Sequence, residues 1–180
     1  DGKVITNNIS IRETWEAMEK LVDLGLVKSI GVANFTTIML VDLLTYAKIK
    51  PAINQIELHP YNAQQKLVNY CHDNEIAVTA YSPTGRMGVD LGKVPRLHED
   101  PIVQKIAAKH KKSAPQILIN WAIERGTIVI PKSVTPARIK ENIDVFDFQL
   151  DKSDMAELNS LDKRLRYVDP SDWWGIPYFK

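Results

Sequence analysis

Lys132, Ser133, Thr135 and Arg138 sit in the run VIPKSVTPARIKEN (129–142), where a strand-like apolar segment passes straight into a helical pattern. Two cations and two hydroxyls at such a junction are suited to holding an anion. Helix N-termini favour anions through their unpartnered backbone N–H groups and the dipole. Thr135 as a cap with Pro136 at the first helical position leaves those donors facing the strand end. Arg138 adds the capacity for bidentate phosphate contact. Its competing use is an ion pair with Glu141.

Polar residues end the other strand-like segments as well. The first closes in Asn34, the second carries Asn54, Gln55 and Glu57, and the third ends in Tyr81-Ser82. Asn54 and Gln55 are neighbours, so they point to opposite faces of a strand, one inward and one toward a helix layer. A carboxamide donates and accepts, which suits recognition of another amide. Tyr81 offers a flat face for stacking on a planar ring, or a core ring with a satisfied hydroxyl. His59, in ELHPY, has no serine, cysteine or carboxylate at triad spacing and reads as structural. His72, His98 and His110 read as surface residues. Trp173 and Trp174, in a Pro- and Gly-containing tail, suit an apolar pocket wall.

The elements that must position these groups alternate. VKSIGVAN (27–34), PAINQIEL (51–58), IAVTAY (76–81) and TIVIP (127–131) are apolar on successive residues, as parallel strands covered on both faces are. Helical patterns lie between them. Ser10 and Glu13 form a capping box ahead of Ile11, Trp15, Met18 and Val22, with Gly25 as the stop. Thr36 caps a helix carrying Leu40, Leu43, Leu44 and Ala47, and a third helix surrounds Leu67, Tyr70 and Cys71. Asp100-Pro101 and Ser113 with Pro115 open two more before the last strand, the second ending at Gly126. Thr135-Pro136 caps another through about Phe146, and 150–162 supplies the last.

Strand–helix alternation implies a parallel α/β sheet. The first three strands start roughly 24 residues apart, a spacing that predicts a barrel. A complete (β/α)8 barrel runs to about 250 residues, so four units are half of one. Half a barrel exposes inner strand faces and two open edges. A missing half is therefore expected, upstream in the same protein or on another chain.

Composition narrows the setting. The 180 residues carry 23 basic and 22 acidic side chains, a formal charge of +1, so an anion site must be local rather than a whole-surface field. That balance gives no sign of nucleic-acid binding. With 44% apolar and 25% charged residues and no run long enough to span a bilayer, the expectation is an ordinary soluble chain. Residues 1–8 lack a signal-peptide core. The one cysteine, Cys71, forms no internal disulfide, and no Cys/His cluster has zinc spacing, so no metal is expected. A reducing, cytoplasmic location fits.

GLVKSIGVANF, PAINQIELHPY, AVTAYSPTG, DPIVQKIAAKHKKSAPQILINWAI and VIPKSVTPARIKENIDVFDF together resemble the C-terminal half of the aldo-keto reductases. The likeness covers nearly the whole chain in order, and IPKS-x4-R-x2-EN is a specific signature. LRYVDPSDWWGIPYF is similar to tails of aldose and xylose reductase-like members. The resemblance implies a TIM barrel, with residues 1–180 forming one domain portion: about the last four strand–helix units plus two extra helices. It also implies reduction of aldehydes and ketones, aldose-type substrates included, with NADPH. Asn34 and Gln55 would hold the nicotinamide carboxamide and Tyr81 would stack on its ring. Ser82, Thr84 and Gly85 would line the pyrophosphate. Lys132, Ser133, Thr135 and Arg138 would hold the adenosine 2′-phosphate, with Glu141 and Asn142 at the adenine. Ile130, Pro131 and Val134 complete that cofactor-binding run, and Trp173 and Trp174 would border the substrate.

The sequence departs from the family pattern in places. Ala33 stands where members usually have Ser, which removes one hydrogen bond to the carboxamide. Thr84 and Arg86 to Asp90 differ in the loop that closes over the cofactor, and Asp90 is the candidate clamp acid. The family's Asp, Tyr, Lys and His tetrad has no counterpart here and is expected upstream of residue 1. No residue of this chain takes a catalytic role by that reading, so the 180 residues alone are expected to be inactive. The rival expectation is a non-catalytic nucleotide-binding or regulatory module of the same fold.

Overall fold

A computed structural model describes residues 4–5, 7–89, 92–171 and 175–179. Four strands form one parallel sheet in chain order: β1 (Val32–Ala33), β2 (Ile53–Glu57), β3 (Ala77–Tyr81) and β4 (Ile128–Val129). α1 (Ile11–Asp23) precedes the sheet. α2 (Thr37–Tyr46) and α3 (Gln65–Asp73) connect the first three strands. α4 (Pro101–His110) and α5 (Ala114–Glu124) precede β4, and α6 (Pro136–Ile143) and α7 (Lys152–Asn159) follow it.

The helix starts obey local chemistry. Ser10 with Glu13, Ser113 with Gln116 and Asp151 with Asp154 each form a reciprocal capping box. Thr36 accepts from the Met39 N–H and Asp100 from the Ile102 N–H, with Pro101 opening α4. The two outer strands are far shorter than the segments 27–34 and 127–131 suggest. Each has a neighbour on one side only, so regular pairing ends where the twisting chains diverge. The backbone still runs alongside: Ala52 N–H donates to the Ile30 carbonyl (2.9 Å), and Ile130 N–H to that of Ala80 (3.3 Å).

Register decides which side chains share a face. Val32 is opposite Asn54, which is opposite Val78; Ala33 is opposite Gln55, which is opposite Thr79. Asn54, Ile56, Val78 and Ala80 are buried toward the helices, in a core that includes Leu40, Val68, Ile106, Ile117 and Trp121. Each such aliphatic side chain contributes about 1.5–3 kcal/mol through burial. Trp121 Nε1–H donates to Asn159 Oδ1 (2.9 Å), fastening α7 onto α5. The other face carries Ala33, Gln55, Glu57 and Tyr81.

The flanks of the sheet are apolar and open. Near β1, Leu24, Leu26 and Ile38 are 70%, 69% and 81% exposed; near β4, Ile143 and Phe146 are 68% and 73% exposed. An unpaired strand edge flanked by exposed apolar side chains can pair with or be covered by further chain.

Candidate functional site

Three strand ends converge on one polar cluster. Asn34 follows β1 in the left-handed region (φ 60°), which asparagine tolerates better than other non-glycine residues. Its Oδ1 accepts a hydrogen bond from the Tyr81 hydroxyl (3.0 Å), so two residues widely separated in the chain meet. Gln55 lies on the same sheet face. Asn54 does not: it is fully buried on the helix side, where it accepts from the Phe35 N–H (3.3 Å) and donates to the Phe35 carbonyl (2.9 Å). Of the two neighbouring carboxamides, only Gln55 is left for a ligand. The Tyr81 phenol is pushed up to about 12, chiefly by burial and then by the charge of Glu57. It stays neutral at physiological pH, with its hydroxyl bonded to Asn34.

The run after β4 forms a cradle. A cavity of about 440 Å³ is walled on one side by Lys132, Ser133, Val134, Thr135, Arg138, Glu141 and Asn142, and on the other by Thr84, Met87 and Gly88. Lys132 and Arg138 are exposed to it, and neither pairs with a carboxylate among the described residues, so the Glu141 ion pair does not form. Thr135 occupies the N-cap position of α6 but its side chain makes no capping bond, contrary to expectation. The Ser133 hydroxyl accepts from the Thr135 N–H (3.2 Å), a local turn ahead of the helix that leaves the first-turn donors untouched. The first-turn amides of α6 therefore lack a side-chain cap, and the helix ends at Ile143, short of Phe146. These features fit a phosphate-bearing ligand: unpaired cations, an uncapped helix start and a polar cavity.

Other expected residues fall elsewhere. Ile130 does not line this cavity and is 45% exposed. Pro131 lines a second groove of about 750 Å³ with Ile119, Ile139, Ile143 and Phe146. That groove is larger and mostly apolar, with Ser133, Lys140 and Asn142 in its lining, and it lies on the open flank of β4. Ser82 (φ 51°) and Gly85 (φ 74°) turn the chain after β3. Gly85 is buried; a Cβ there would lie 2.9 Å from Tyr167 Cε2 and 3.0 Å from Leu97 Cβ. Asp90, Trp173 and Trp174 lie outside the described residues.

A buried hub at the end of β2 was not foreseen. Glu57 is fully buried, and its Oε1 accepts from the Tyr167 N–H (2.6 Å) and lies 2.9 Å from His59 Nε2. Its Oε2 accepts from the Val168 N–H (3.1 Å). His59 is thus structural as expected, yet it does have a carboxylate partner, two residues back on the chain. The signal lay in the spacing of Gln55 and Glu57, which places both on one strand face. His110 is also tied in rather than a free surface residue: its Nε2 lies 2.7 Å from Asp154 Oδ2, linking α4 to α7. No group of three or more metal-ligating side chains occurs among the described residues. Nor is any helix among them long and apolar enough to cross a membrane.

The model of the aldo/keto reductase family matches residues 4–163. The chain belongs to the aldo/keto reductase family. It is 50% identical over 179 residues to aldose reductase B of Dictyostelium discoideum, covering 99% of this chain and 56% of that protein. It is 46% identical over 178 residues to the NAD(P)H-dependent D-xylose reductase of Scheffersomyces stipitis, covering 96% of this chain and 56% of that one. The chain thus spans little more than half the length of these relatives. Among solved structures, aldose reductase from Giardia lamblia superposes with a TM-score of 0.90 at 40% identity, over 99% of this chain and 60% of that chain. A Bombyx mori aldo-keto reductase in complex with NADP superposes at 0.85 with 44% identity, over 93% and 55%. The α/β fold with its parallel sheet is therefore an aldo-keto reductase fold.

Proposed function

We propose that this chain is the cofactor-binding part of an NADPH-dependent reductase of aldehydes and ketones, aldose-type sugars included. The observation that carries the reading is the cradle: two unpaired cations and an uncapped helix start face Thr84 across one cavity. The 2′-phosphate is what separates NADPH from NADH, and Lys132 and Arg138, with Ser133 and Thr135, are the groups to hold it. Glu141 and Asn142 would meet the adenine, Thr84 and the backbone turn at Ser82–Gly85 the pyrophosphate. Asn34, through the amide N–H2 left free by its bond from Tyr81, and Gln55 would orient the carboxamide, with the Tyr81 ring against the nicotinamide. When bound, the cofactor supplies a hydride.

The proton for the carbonyl oxygen comes from outside this chain in our reading. Tyr81 is a poor donor, with its phenol held near 12 and its hydroxyl spent on Asn34. The apolar flanks of the sheet support closure by four further strand–helix units into a (β/α)8 barrel carrying the Asp, Tyr, Lys and His of the reaction. Residues 1–180 would then be one portion of a single domain, inactive alone. Trp173 and Trp174 would wall the substrate pocket. The single cysteine fits a reducing cytoplasmic setting.

Fluorescence titration with NADPH and NADH tests the cofactor reading; the expected result is clearly tighter binding of NADPH. Assay of a small aldehyde with the chain alone and with the full-length gene product tests the rest. Turnover by the 180 residues alone at the rate of the longer protein would overturn the division of labour.

A further inference from the structure

We propose that Tyr167 is a positioning residue for the nucleotide: it holds the loop wall of the cradle in place, and Glu57 holds Tyr167. The inference rests on the cofactor reading above, and adds a tail residue distant in sequence from every residue of the cradle.

Tyr167 grips the segment after β3 at both ends. At its start, the Tyr167 ring packs on Gly85 so closely that no Cβ fits between them, and the Tyr167 carbonyl accepts from Arg86 Nη1 (3.2 Å). At its end, the phenol accepts from the Leu97 N–H (3.1 Å) and donates to the Pro95 carbonyl (2.7 Å). Thr84, Met87 and Gly88, which face Lys132 and Arg138, adjoin the first grip. Wherever Tyr167 sits, that wall of the cavity follows.

Tyr167 is itself fixed from below. The Glu57 carboxylate takes two successive tail N–H groups, at Tyr167 and Val168, and the His59 ring lies 4.9 Å from the tyrosine ring. The Glu57 carbonyl in turn accepts from Asn62 Nδ2 (3.1 Å) and Gln64 Nε2 (2.7 Å). Tail N–H groups buried outside any helix or sheet need an acceptor, and a charged one makes the stronger bond. Glu57 is on the strand face that carries Gln55 and Tyr81. The nicotinamide end and the phosphate end of the proposed site are therefore joined through this tail residue.

Stopped-flow fluorescence of bound NADPH tests the idea on the whole chain. Tyr167→Phe keeps the ring on Gly85 and removes both phenol bonds. NADPH should leave it about five- to tenfold faster, and 2′,5′-ADP should lose affinity by a similar factor, as the loss of one or two buried hydrogen bonds requires. Trp15→Phe removes a comparable bond, to the Ile49 carbonyl at 3.1 Å, in the separate apolar cluster under α1. It should lower the melting temperature without changing NADPH release. Glu57→Gln, which keeps the shape but weakens the grip on the tail, should shift release in the same direction as Tyr167→Phe. Unchanged release from Tyr167→Phe, or equal acceleration by Trp15→Phe, overturns the inference alone. Failure of the unaltered chain to bind NADPH overturns the cofactor reading and the inference with it.

Discussion

On the proposed reading, removing the two cradle cations, by Lys132→Ala with Arg138→Ala, should abolish a preference for NADPH and leave both coenzymes bound alike. A charge-assisted hydrogen bond is worth about 1.5–3 kcal/mol when shielded from water. Both side chains are exposed in the cavity, so hydration and salt reduce each to roughly 1 kcal/mol. Together they account for roughly 2 kcal/mol, or about a 30-fold rise in the NADPH dissociation constant. NADH offers a hydroxyl at that position, and its affinity should change by less than about threefold. Fluorescence titration of both coenzymes with the variant and the unaltered chain gives the four constants needed. Raising ionic strength from about 0.05 M to about 0.5 M should shrink the NADPH preference of the unaltered chain and leave the variant nearly unaffected. Equal weakening of NADPH and NADH would refute the reasoning, since the cations would then be serving the fold or the pyrophosphate they share.

Three further outcomes follow from the same geometry. Gly85→Ala combines a left-handed φ with a Cβ 2.9 Å from Tyr167; strain and overpacking together should cost about 2–4 kcal/mol in urea unfolding. Asn54→Ala leaves the Phe35 N–H and carbonyl without partners in a dry layer, and should destabilise by about 2–3 kcal/mol, read by the same unfolding curves. Asp151 is held down at about 2 from 3.8 by Lys109, with help from the Asp154 N–H, and Asp154 is lowered as well. A depressed carboxylate contributes stability that is present above its unfolded pKa and lost as pH falls through the folded one. Melting temperature should therefore drop between about pH 4 and pH 2, and Lys109→Met should flatten that drop.

What could be read without coordinates was local. Helix starts at Ser10, Asp100 and Ser113 follow from residues within one turn of each other, so the capping chemistry is written into neighbours in the chain. The cradle was legible for the same reason: Lys132 to Asn142 occupy one strand-to-helix junction, and no distant residue is needed to bring its cations together. Strand–helix alternation likewise announced a parallel sheet, and the resemblance of five segments to the aldo-keto reductases named its family.

Contacts across the chain were not legible. Alternation along β2 says that Asn54 and Gln55 face opposite ways, but only register with Val32 and Val78 decides that Asn54 is the buried one. Thr135 had the right type and place for a cap, yet its side chain bonds none of the first-turn N–H groups, since residue type does not fix the rotamer. The meeting of Tyr81 with Asn34, and of Glu57 with Tyr167 and His59, depends on which strands lie side by side and how the tail returns over their ends. Sequence alone thus determined which elements form and where cations and hydroxyls gather at a strand-to-helix junction. Tertiary structure decided which of the polar groups are consumed by the fold and which remain for a ligand, because that choice depends on through-space neighbours.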